Sequence, residues 1–432
     1  MSRILLAATP AVGHVRPMLN MALPLVEEGH QVFFQTGDLF AAQVEAAGMT
    51  FLPLLGKANF DHRRIPEQFP ELLDAATPDD RLNAAFKYVF GDCIPDQYRG
   101  LQQAIAEHNI DLIMSDVLLL GVLPLLLNGE SRPHVIGCGV VAPLWLDPAS
   151  SAFTGPDDAP GARERNIADN EKLLSIRAPG HQHIDAVLEQ VGVKIPGGFH
   201  PNSIYRLPDL FLQLGTEAFE YPMEDRPDNL VFTGPFLPKE SSKLEMPEWM
   251  AKLDPSKPII LVTQGTVANF DFDQLINPAL AGLAGEPVQV VATAGGSERG
   301  KIQAAGNAII ESYVPYELLL PMTSVFITNG GYNGVQQALA YGVPVVCYGT
   351  SEDKPRVSAR VAWSGAGVSL KGGEGLPAQI RDAVREILRN SSYAGRAKAI
   401  AVEIKETDAR RTVLHHVNAT LAKAEVLQGA AS

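Results

Sequence analysis

The first half of the sequence contains a histidine and an aspartate that could move a proton together. His14 stands in the segment GHVRP, just after an apolar stretch at residues 4–8, and Asp116 stands in DLIMSDVLLLG, after a second apolar stretch. An imidazole titrates near neutral pH and can take a proton from a hydroxyl group. A carboxylate bonded to Nδ1 fixes the tautomer of the ring and stabilises the imidazolium that forms. The two residue types therefore predict a general base with a supporting carboxylate.

Both residues also have structural interpretations that the sequence leaves open. A lone histidine can cap a helix or pack in a core, and Ser115 or Asp116 can cap the apolar helix that follows. The context of His14, between a strand and a helix, favours a role in chemistry. Capping by Asp116 stays a strong alternative.

A glycine pair in the second half of the sequence could bind an anion. Gly330 and Gly331 follow a predicted strand that ends at Thr328, and a helix is predicted from Tyr332. The first N–H groups of a helix are unpaired, and the helix dipole favours negative charge there. Without side chains, the two glycines would let a pyrophosphate approach the backbone. The alternative is a tight connection between strand and helix.

A parallel α/β scaffold is predicted to position these segments. Continuous apolar runs, typical of buried parallel strands, alternate with helical segments. Predicted strands lie at residues 4–8, 31–35, 111–115, 133–137, 210–215, 230–233, 259–263, 288–292, 308–311, 325–328 and 343–347, and predicted helices at 17–28, 273–284 and 332–341. The fold class is therefore α/β, with two tandem Rossmann-like domains facing across a cleft. Ligands of such sheets bind at the carboxyl ends of the strands.

The domain boundaries follow from a change in composition. Residues 239–257 lie in a charged stretch bounded by prolines and poor in strand formers, which predicts a linker between domains at 1–238 and 258–408. Residues 409–432 are predicted to form a C-terminal helix that packs back on the first domain, followed by a tail. Residues 55–90 and 144–201 lack the α/β rhythm and carry aromatic residues. They are predicted to be loops and short helices that cover either an apolar ligand or simply the core.

Charge and cysteine content exclude several classes of function. The net charge is −14 with no block of basic residues, which argues against nucleic acid or an anionic membrane as a partner. The three cysteines are far apart and form no CxxC pair, so neither a disulfide framework nor a zinc site is predicted. No apolar stretch approaches the roughly 20 residues that a bilayer crossing needs, and the first apolar run is too short for a signal peptide. We therefore expect a cytoplasmic protein. The sequence leaves open whether it is a monomer or a homodimer.

The segment 311–370 resembles the donor-binding signature of the UDP-glycosyltransferase superfamily, enzymes of the GT-B fold that glycosylate natural products, lipids and xenobiotics. An aromatic–x–Pro element, YVPY, begins sixteen residues before Asn329, as in that family. The GHVRP loop is similar to the family's Gly-His-x-x-Pro loop, and TQGT at 263–266 is similar to its Ser-x-Gly-Thr loop. By this resemblance, residues 1–238 would bind the acceptor and residues 258–408 the nucleotide sugar.

The resemblance implies a role for each residue of the donor site. Tyr313 would stack on the base and the backbone of Val314 would pair with its edge. The ribose would contact Gln337, and the sugar would contact Asp353 and Lys354. The residues that would contact the phosphates are Thr266, Asn329, Gly330, Gly331 and Asn333. Asn329 stands where the family has histidine, Gln337 where it has glutamate, and Lys354 where it has glutamine. The last difference puts the identity of the sugar in doubt.

The activity implied is inverting transfer of a sugar from a UDP- or dTDP-sugar to a hydroxyl group of a small, largely apolar acceptor. The only co-substrate expected is the nucleotide sugar, with no metal and no other cofactor. Asp271-Phe272-Asp273 matches a metal-binding DxD motif of another glycosyltransferase fold, but its place at a helix start predicts capping. Two alternatives are a helper protein without activity and a sugar-nucleotide epimerase or hydrolase of the same fold. A dehydrogenase is disfavoured because the first loop lacks GxGxxG.

Overall fold

A computed structural model describes residues 1–237, 245–265, 271–296, 301–303 and 306–431, the last eight of them without their side chains. These residues fall into two units. The first comprises Met1–Leu214, Pro222–Phe236 and Asp408–Ser432, and the second comprises Gly215–Tyr221 and Leu237–Thr407. The segment Gly215–Tyr221 therefore belongs to the second unit, although it directly follows a part of the first.

The first unit is built on a parallel sheet with the strand order β3-β2-β1-β4-β5-β6-β7. Its strands are β1 Arg3–Ala7, β2 Gln31–Thr36, β3 Thr50–Pro53, β4 Leu112–Asp116, β5 His134–Gly139, β6 Leu210–Gln213 and β7 Leu230–Phe232. The second unit has another parallel sheet, with the order β10-β9-β8-β11-β12-β13. Its strands are β8 Ile259–Thr263, β9 Gln289–Thr293, β10 Ala308–Glu311, β11 Thr323–Thr328, β12 Val345–Cys347 and β13 Gly367–Ser369.

Helices cover the faces of both sheets. The α-helices are α1 Val12–Glu27, α2 Ala41–Ala46, α3 Ile65–Gln68, α4 Pro78–Ala84, α5 Ile94–His108, α6 Val122–Leu127, α7 Ala162–Gln190, α8 Ser203–Arg206, α9 Ile276–Leu283, α10 Tyr316–Leu319, α11 Tyr332–Ala340, α12 Lys354–Trp363, α13 Leu376–Arg389, α14 Ser391–Glu406 and α15 Ala409–Ala431. A π-helix spans Ala85–Gly91, and short 3₁₀ helices span Asp38–Phe40, Gly56–Ala58, His62–Arg64, Pro70–Leu72, Glu217–Phe219, Glu248–Lys252, Phe272–Gln274 and Leu320–Met322.

Strand β1 has no polar face because its sheet is covered on both sides. Ile4 and Leu6 pack into one core with residues of α1 and α15, while Leu5 packs into the opposite core with residues of α5. All three side chains are fully buried. Burial of a leucine or isoleucine stabilises a fold by about 1.5–3 kcal/mol, so the continuous apolar run is what places β1 in the middle of the sheet.

Helix α1 begins earlier than the predicted start at residue 17. The helix already begins at Val12, and both Pro17 and Pro24 lie inside it. Proline is favourable in the first turn of a helix but unfavourable inside it, because there it removes a hydrogen bond. Burial of Val15, Met18 and Met21 at helical spacing offsets this cost.

The prediction of loops and short helices for residues 144–201 is wrong. Helix α7 runs through 29 residues of this stretch and contains Pro179. Its buried residues do not form one continuous apolar stripe, because they include Asn166, Asn170 and His181 together with Ile184. Periodicity of apolar residues therefore gave no signal for a helix here.

The C-terminal helix belongs to the first unit. Val413, Val417 and Leu421 of α15 are buried in the same core as α1, and Arg410 forms an ion pair with Glu27. Among the residues that the structure describes, no helix is both long and apolar enough to pass through a bilayer. All three cysteines are buried as free thiols.

Candidate active site

Neighbouring strands bring His14 and Asp116 together. Strands β1 and β4 pair in parallel with Ala7 opposite Ser115, so their carboxyl ends lie side by side. Asp116 is the last residue of β4, and His14 lies in the first turn of α1, directly after the loop that follows β1. This edge of an open α/β sheet is where ligands bind.

The two side chains form a directed hydrogen bond. His14 Nδ1 lies 2.9 Å from Asp116 Oδ1, and the backbone N–H of Thr9 donates to Asp116 Oδ2 at 3.2 Å. The carboxylate is fully buried, while 13% of the His14 side chain is exposed. Because Nδ1 donates to the carboxylate, Nε2 is the nitrogen that can accept a proton from a substrate.

The helix-capping alternatives do not hold. Helix α6 begins at Val122 with Gly121 as its N-cap, so Asp116 lies too far from the helix start to cap it. The N-cap of α1 is Ala11, and no side chain accepts a hydrogen bond there. The carboxylate of Asp116 instead binds Thr9 and His14. The part played by Thr9 was not predicted, since a backbone donor leaves no signal in a sequence.

The glycine pair forms a turn between β11 and α11. Gly330 has φ of +87°, a left-handed conformation that favours glycine, and Gly331 is the N-cap of α11 without any side-chain cap. A Cβ on Gly330 would lie 3.0 Å from Ser358 Oγ and 3.2 Å from the Lys354 carbonyl oxygen. The turn thus presents helical N–H groups that no side chain caps, which is the arrangement that binds a phosphate.

Asn329 holds this turn against the neighbouring strand end. Its Nδ2 donates to the backbone carbonyl of Gln264 at 2.6 Å, and the strands that precede the two residues, β11 and β8, are paired. Gln264 is itself fixed, since its side chain donates to the Asp271 carbonyl and accepts from the Ile276 N–H. The role of Gln264 was not predicted, although this residue lies within the TQGT motif. Thr266 of that motif lies outside the described residues.

Tyr313 is an aromatic surface beside a glycine loop. It follows β10, and 64% of the residue is exposed. A Cβ on Gly296 would lie 2.2 Å from the Tyr313 hydroxyl oxygen, so a glycine at that position leaves room for the ring. The next residue, Val314, is half-buried. An exposed ring with its edge on a backbone loop can stack on a planar base.

The other predicted donor residues lie on α11 and at the start of α12. Asn333 and Gln337 are four residues apart on α11, so they share a face of the helix, and both are half-buried. Asp353 is the half-buried N-cap residue of α12. Lys354 is buried, and its ammonium group contacts Ser351 Oγ at 3.2 Å and pairs with the carboxylate of Glu352.

The DxD motif caps a short helix, as predicted. Asp271 accepts a hydrogen bond from the Asp273 N–H at 2.9 Å, and Asp273 accepts one from Asn277 Nδ2 at 2.7 Å. Within the described ranges, no group of three or more histidine, cysteine, aspartate or glutamate residues is arranged to hold a metal ion.

Comparison with known proteins gives the family. Residues 279–419 match the protein family described as erythromycin biosynthesis protein CIII-like, C-terminal domain. The chain is 35% identical over 423 residues to 4'-demethylrebeccamycin synthase of Lentzea aerocolonigenes, covering 94% of this chain and 97% of that protein. It is 31% identical over 433 residues to UDP-glycosyltransferase 2 of Phaeomoniella chlamydospora, covering 96% and 95%.

Solved structures agree with this relationship at the level of the fold. The calicheamicin glycosyltransferase CalG4 superposes with a TM-score of 0.74 at 20% identity, covering 98% of each chain. The two parallel α/β sheets are those of the GT-B glycosyltransferases. The chain therefore belongs to the UDP-glycosyltransferase superfamily, and it is a glycosyltransferase.

Proposed function

We propose that this glycosyltransferase moves a sugar from a UDP- or dTDP-sugar to a hydroxyl group of a small, largely apolar acceptor, with inversion at the anomeric carbon. The observation that carries the proposal is the hydrogen bond between His14 and Asp116 at the edge of the first sheet. The names of two relatives, UDP-glycosyltransferase 2 and 4'-demethylrebeccamycin synthase, support the choice of donor and acceptor class.

His14 acts as the general base. Its Nε2 takes the proton of the acceptor hydroxyl while the hydroxyl oxygen attacks the anomeric carbon and the bond from that carbon to the diphosphate oxygen breaks. The nucleoside diphosphate leaves with the electron pair of that bond. The buried carboxylate of Asp116 holds the ring and stabilises the positive charge that develops on it. Base catalysis of this kind contributes about 10²–10⁴-fold to the rate.

The turn at Gly330 and Gly331 receives the diphosphate. The uncapped first turn of α11 offers backbone N–H groups and the positive end of a helix dipole to the charge that grows on the leaving group. Asn329 fixes the turn through its bond to Gln264. Because this stabilisation comes from the backbone, we propose that the reaction needs no metal ion.

The remaining donor contacts are proposed from the resemblance to the family, and the positions of the side chains support them. Tyr313 stacks on the base, with the Val314 backbone at its edge. Asn333 lies on the first turn of α11 and binds the diphosphate, and Gln337, one turn later, binds the ribose. At the start of α12, Asp353 accepts hydrogen bonds from the sugar hydroxyl groups, for which a carboxylate is well suited, and Lys354 lies beside it.

The first unit offers a cavity for an apolar acceptor. Its volume is about 250 Å³, and its wall includes the aromatic residues Phe60, Phe69 and Tyr88. Its polar lining residues are Lys57, Asn59, Gln68, Glu71 and Asp92. A cavity that combines aromatic rings with polar side chains suits a small, hydroxylated acceptor that is otherwise largely apolar.

Binding of the donor is tested first, and transfer of the sugar second. The melting temperature is measured with UDP-, dTDP- and GDP-sugars, because a ligand that binds only the folded state raises it. The sugar that binds is then incubated with hydroxylated natural products, and the glycoside is detected by mass spectrometry. Transfer that depends on the acceptor supports the proposal. Release of free sugar or an altered nucleotide sugar without any acceptor would instead indicate a hydrolase or an epimerase.

A further inference from the structure

A buried hydrogen-bonded cluster lies directly behind the diphosphate turn. Glu220 belongs to the segment Gly215–Tyr221 of the second unit, and its carboxylate contacts two helices. The hydroxyl of Tyr332 donates to Glu220 Oε1 at 2.6 Å, and Arg360 Nε donates to Glu220 Oε2 at 2.6 Å. The side chains of Glu220 and Arg360 are only 1% and 5% exposed. One carboxylate thus joins α11 to α12.

Further contacts hold the cluster and the segment Gly215–Tyr221 in place. The Arg360 guanidinium lies 4.3 Å from the centre of the Tyr221 ring. The segment is also fixed to α14, where Glu403 accepts from the Ala218 N–H at 3.0 Å and from the Thr216 hydroxyl. A buried ion pair adds little to stability compared with apolar residues of the same size, but its directed bonds allow only one arrangement of the groups.

The position of Tyr332 connects this cluster with the donor. Tyr332 is the first residue of α11 and directly follows Gly331, so its backbone is part of the turn that offers N–H groups to the diphosphate. The residue is 3% exposed, and its hydroxyl points to Glu220 rather than to solvent. Rotation of the first helical turn would therefore have to break a bond to a buried charge.

We propose that Glu220 and Tyr332 are positioning residues for the donor, in that the hydrogen bond between them sets the direction of the N–H groups at the start of α11. This inference rests on the proposed function of the Gly330-Gly331 turn. Neither side chain touches the donor. Glu220 acts through Tyr332, and Arg360 neutralises the carboxylate and fixes its orientation.

The test compares a nucleoside diphosphate with its nucleoside. Dissociation constants of UDP and uridine, and of dTDP and thymidine, are measured by calorimetry for wild type and for Tyr332→Phe. Loss of the hydroxyl should weaken the binding of the nucleoside diphosphate about tenfold, since the direction of the N–H groups is no longer fixed. The nucleoside should bind as in wild type, because it does not reach the turn.

A matched control separates this effect from a general loss of structure. Tyr205 in the first unit also has a buried hydroxyl, which accepts a hydrogen bond from the Leu144 N–H at 2.7 Å. Tyr205→Phe should leave both affinities unchanged. The double variant with Glu220→Gln and Tyr332→Phe should bind the nucleoside diphosphate no more weakly than the single variant with the larger effect, because both substitutions act through one bond.

Each outcome is decisive. If wild type binds neither UDP nor dTDP, the proposed function fails before the inference is reached. If wild type binds a diphosphate and Tyr332→Phe binds it equally well, the inference is wrong. It is also wrong if the diphosphate and the nucleoside weaken by the same factor, or if the two substitutions are additive. Should Glu220→Gln not fold, the Tyr332→Phe comparison decides alone.

Discussion

Asp116 accepts two hydrogen bonds in the first unit, from the ring of His14 at 2.9 Å and from the backbone of Thr9 at 3.2 Å. The second bond matters because it fixes the carboxylate independently of the ring. The carboxylate can therefore impose one tautomer on His14 rather than adapt to it. The proposed base depends on this arrangement, and so do the first and last of the predictions that follow.

Asp116→Asn should lower kcat about 10²–10⁴-fold with little change in the dissociation constant of UDP. The amide oxygen can still accept from Thr9, but the amide nitrogen then faces Nδ1 of His14. The ring is forced into the tautomer whose Nε2 carries the hydrogen and cannot accept a proton. The measurement is kcat at saturating donor and acceptor.

A second buried carboxylate of the same unit serves as its control. Asp147 is as buried as Asp116 and accepts from Trp145 Nε1 at 3.0 Å and from the Glu224 N–H at 2.9 Å. Asp147→Asn should lower the free energy of unfolding by about 1–3 kcal/mol without a comparable loss of kcat. Equal losses of kcat in both variants would contradict the special role of Asp116.

Tyr313→Ala should weaken the binding of uridine and of UDP by the same factor, about tenfold to a hundredfold. The reason is that stacking on a base stabilises binding by about 1–3 kcal/mol. Tyr313→Phe keeps the ring and should retain the affinity of the wild type. Calorimetry with both ligands checks this. An alanine variant that binds as tightly as wild type would remove Tyr313 from the donor site.

Gly330→Ala should weaken UDP about tenfold or more. The new side chain would be held at a φ of +87°, which costs about 1–2 kcal/mol, and its Cβ would press on Ser358 and the Lys354 carbonyl. Gly395→Ala on α14 is the control, since a Cβ there meets nothing within 4 Å and the free energy of unfolding should rise by about 0.5–1 kcal/mol. UDP binding unaffected by the first substitution would exclude the turn as the diphosphate site.

The stability of the first unit should fall in mild acid because of His181. Burial, with help from His200 and Arg177, lowers the pKa of His181 to about 4, whereas the unfolded chain has a value of about 6.5. Between these values the unfolded state binds more protons, so the free energy of unfolding is lost as pH falls from about 6.5 to about 4. The slope should be about 1 kcal/mol per pH unit.

The change in the free energy of unfolding with pH is measured by chemical denaturation at several pH values, with His181→Leu as the comparison. His181 packs edge-on against Phe86 and Phe199, so leucine suits the site and removes the titration. The wild type should show the steeper loss in this window. Equal slopes for the two proteins would mean that His181 is protonated in the folded state.

Much of the fold could be predicted because parallel strands buried on both sides are continuous apolar runs. The strands at 259–263 and 308–311 have the predicted bounds, and both units have the predicted sheets. Strands β3 and β13 were not predicted, since they are short and largely half-buried or exposed. Helix α7 was missed because polar residues and Pro179 interrupt its apolar pattern.

The candidate site could be predicted only where a motif lies on one stretch of chain. His14 and Asp116 were identifiable because each comes after a predicted strand, at 4–8 and 111–115, and the structure places them in contact. The bond from Asn329 to Gln264 joins residues 65 apart, and the bonds of Glu220 to Tyr332 and Arg360 span 112 and 140 residues. No periodicity or spacing signals such pairs, because only the folding of the chain brings residues so far apart in sequence into contact.

The most direct test of the account is the turnover of His14→Ala at saturating donor and acceptor. We predict that kcat falls about 10²–10⁴-fold while UDP binds with the affinity of the wild type, because only the proton acceptor has been removed. A variant that retains kcat within a few-fold of wild type would contradict the assignment of His14 as the base.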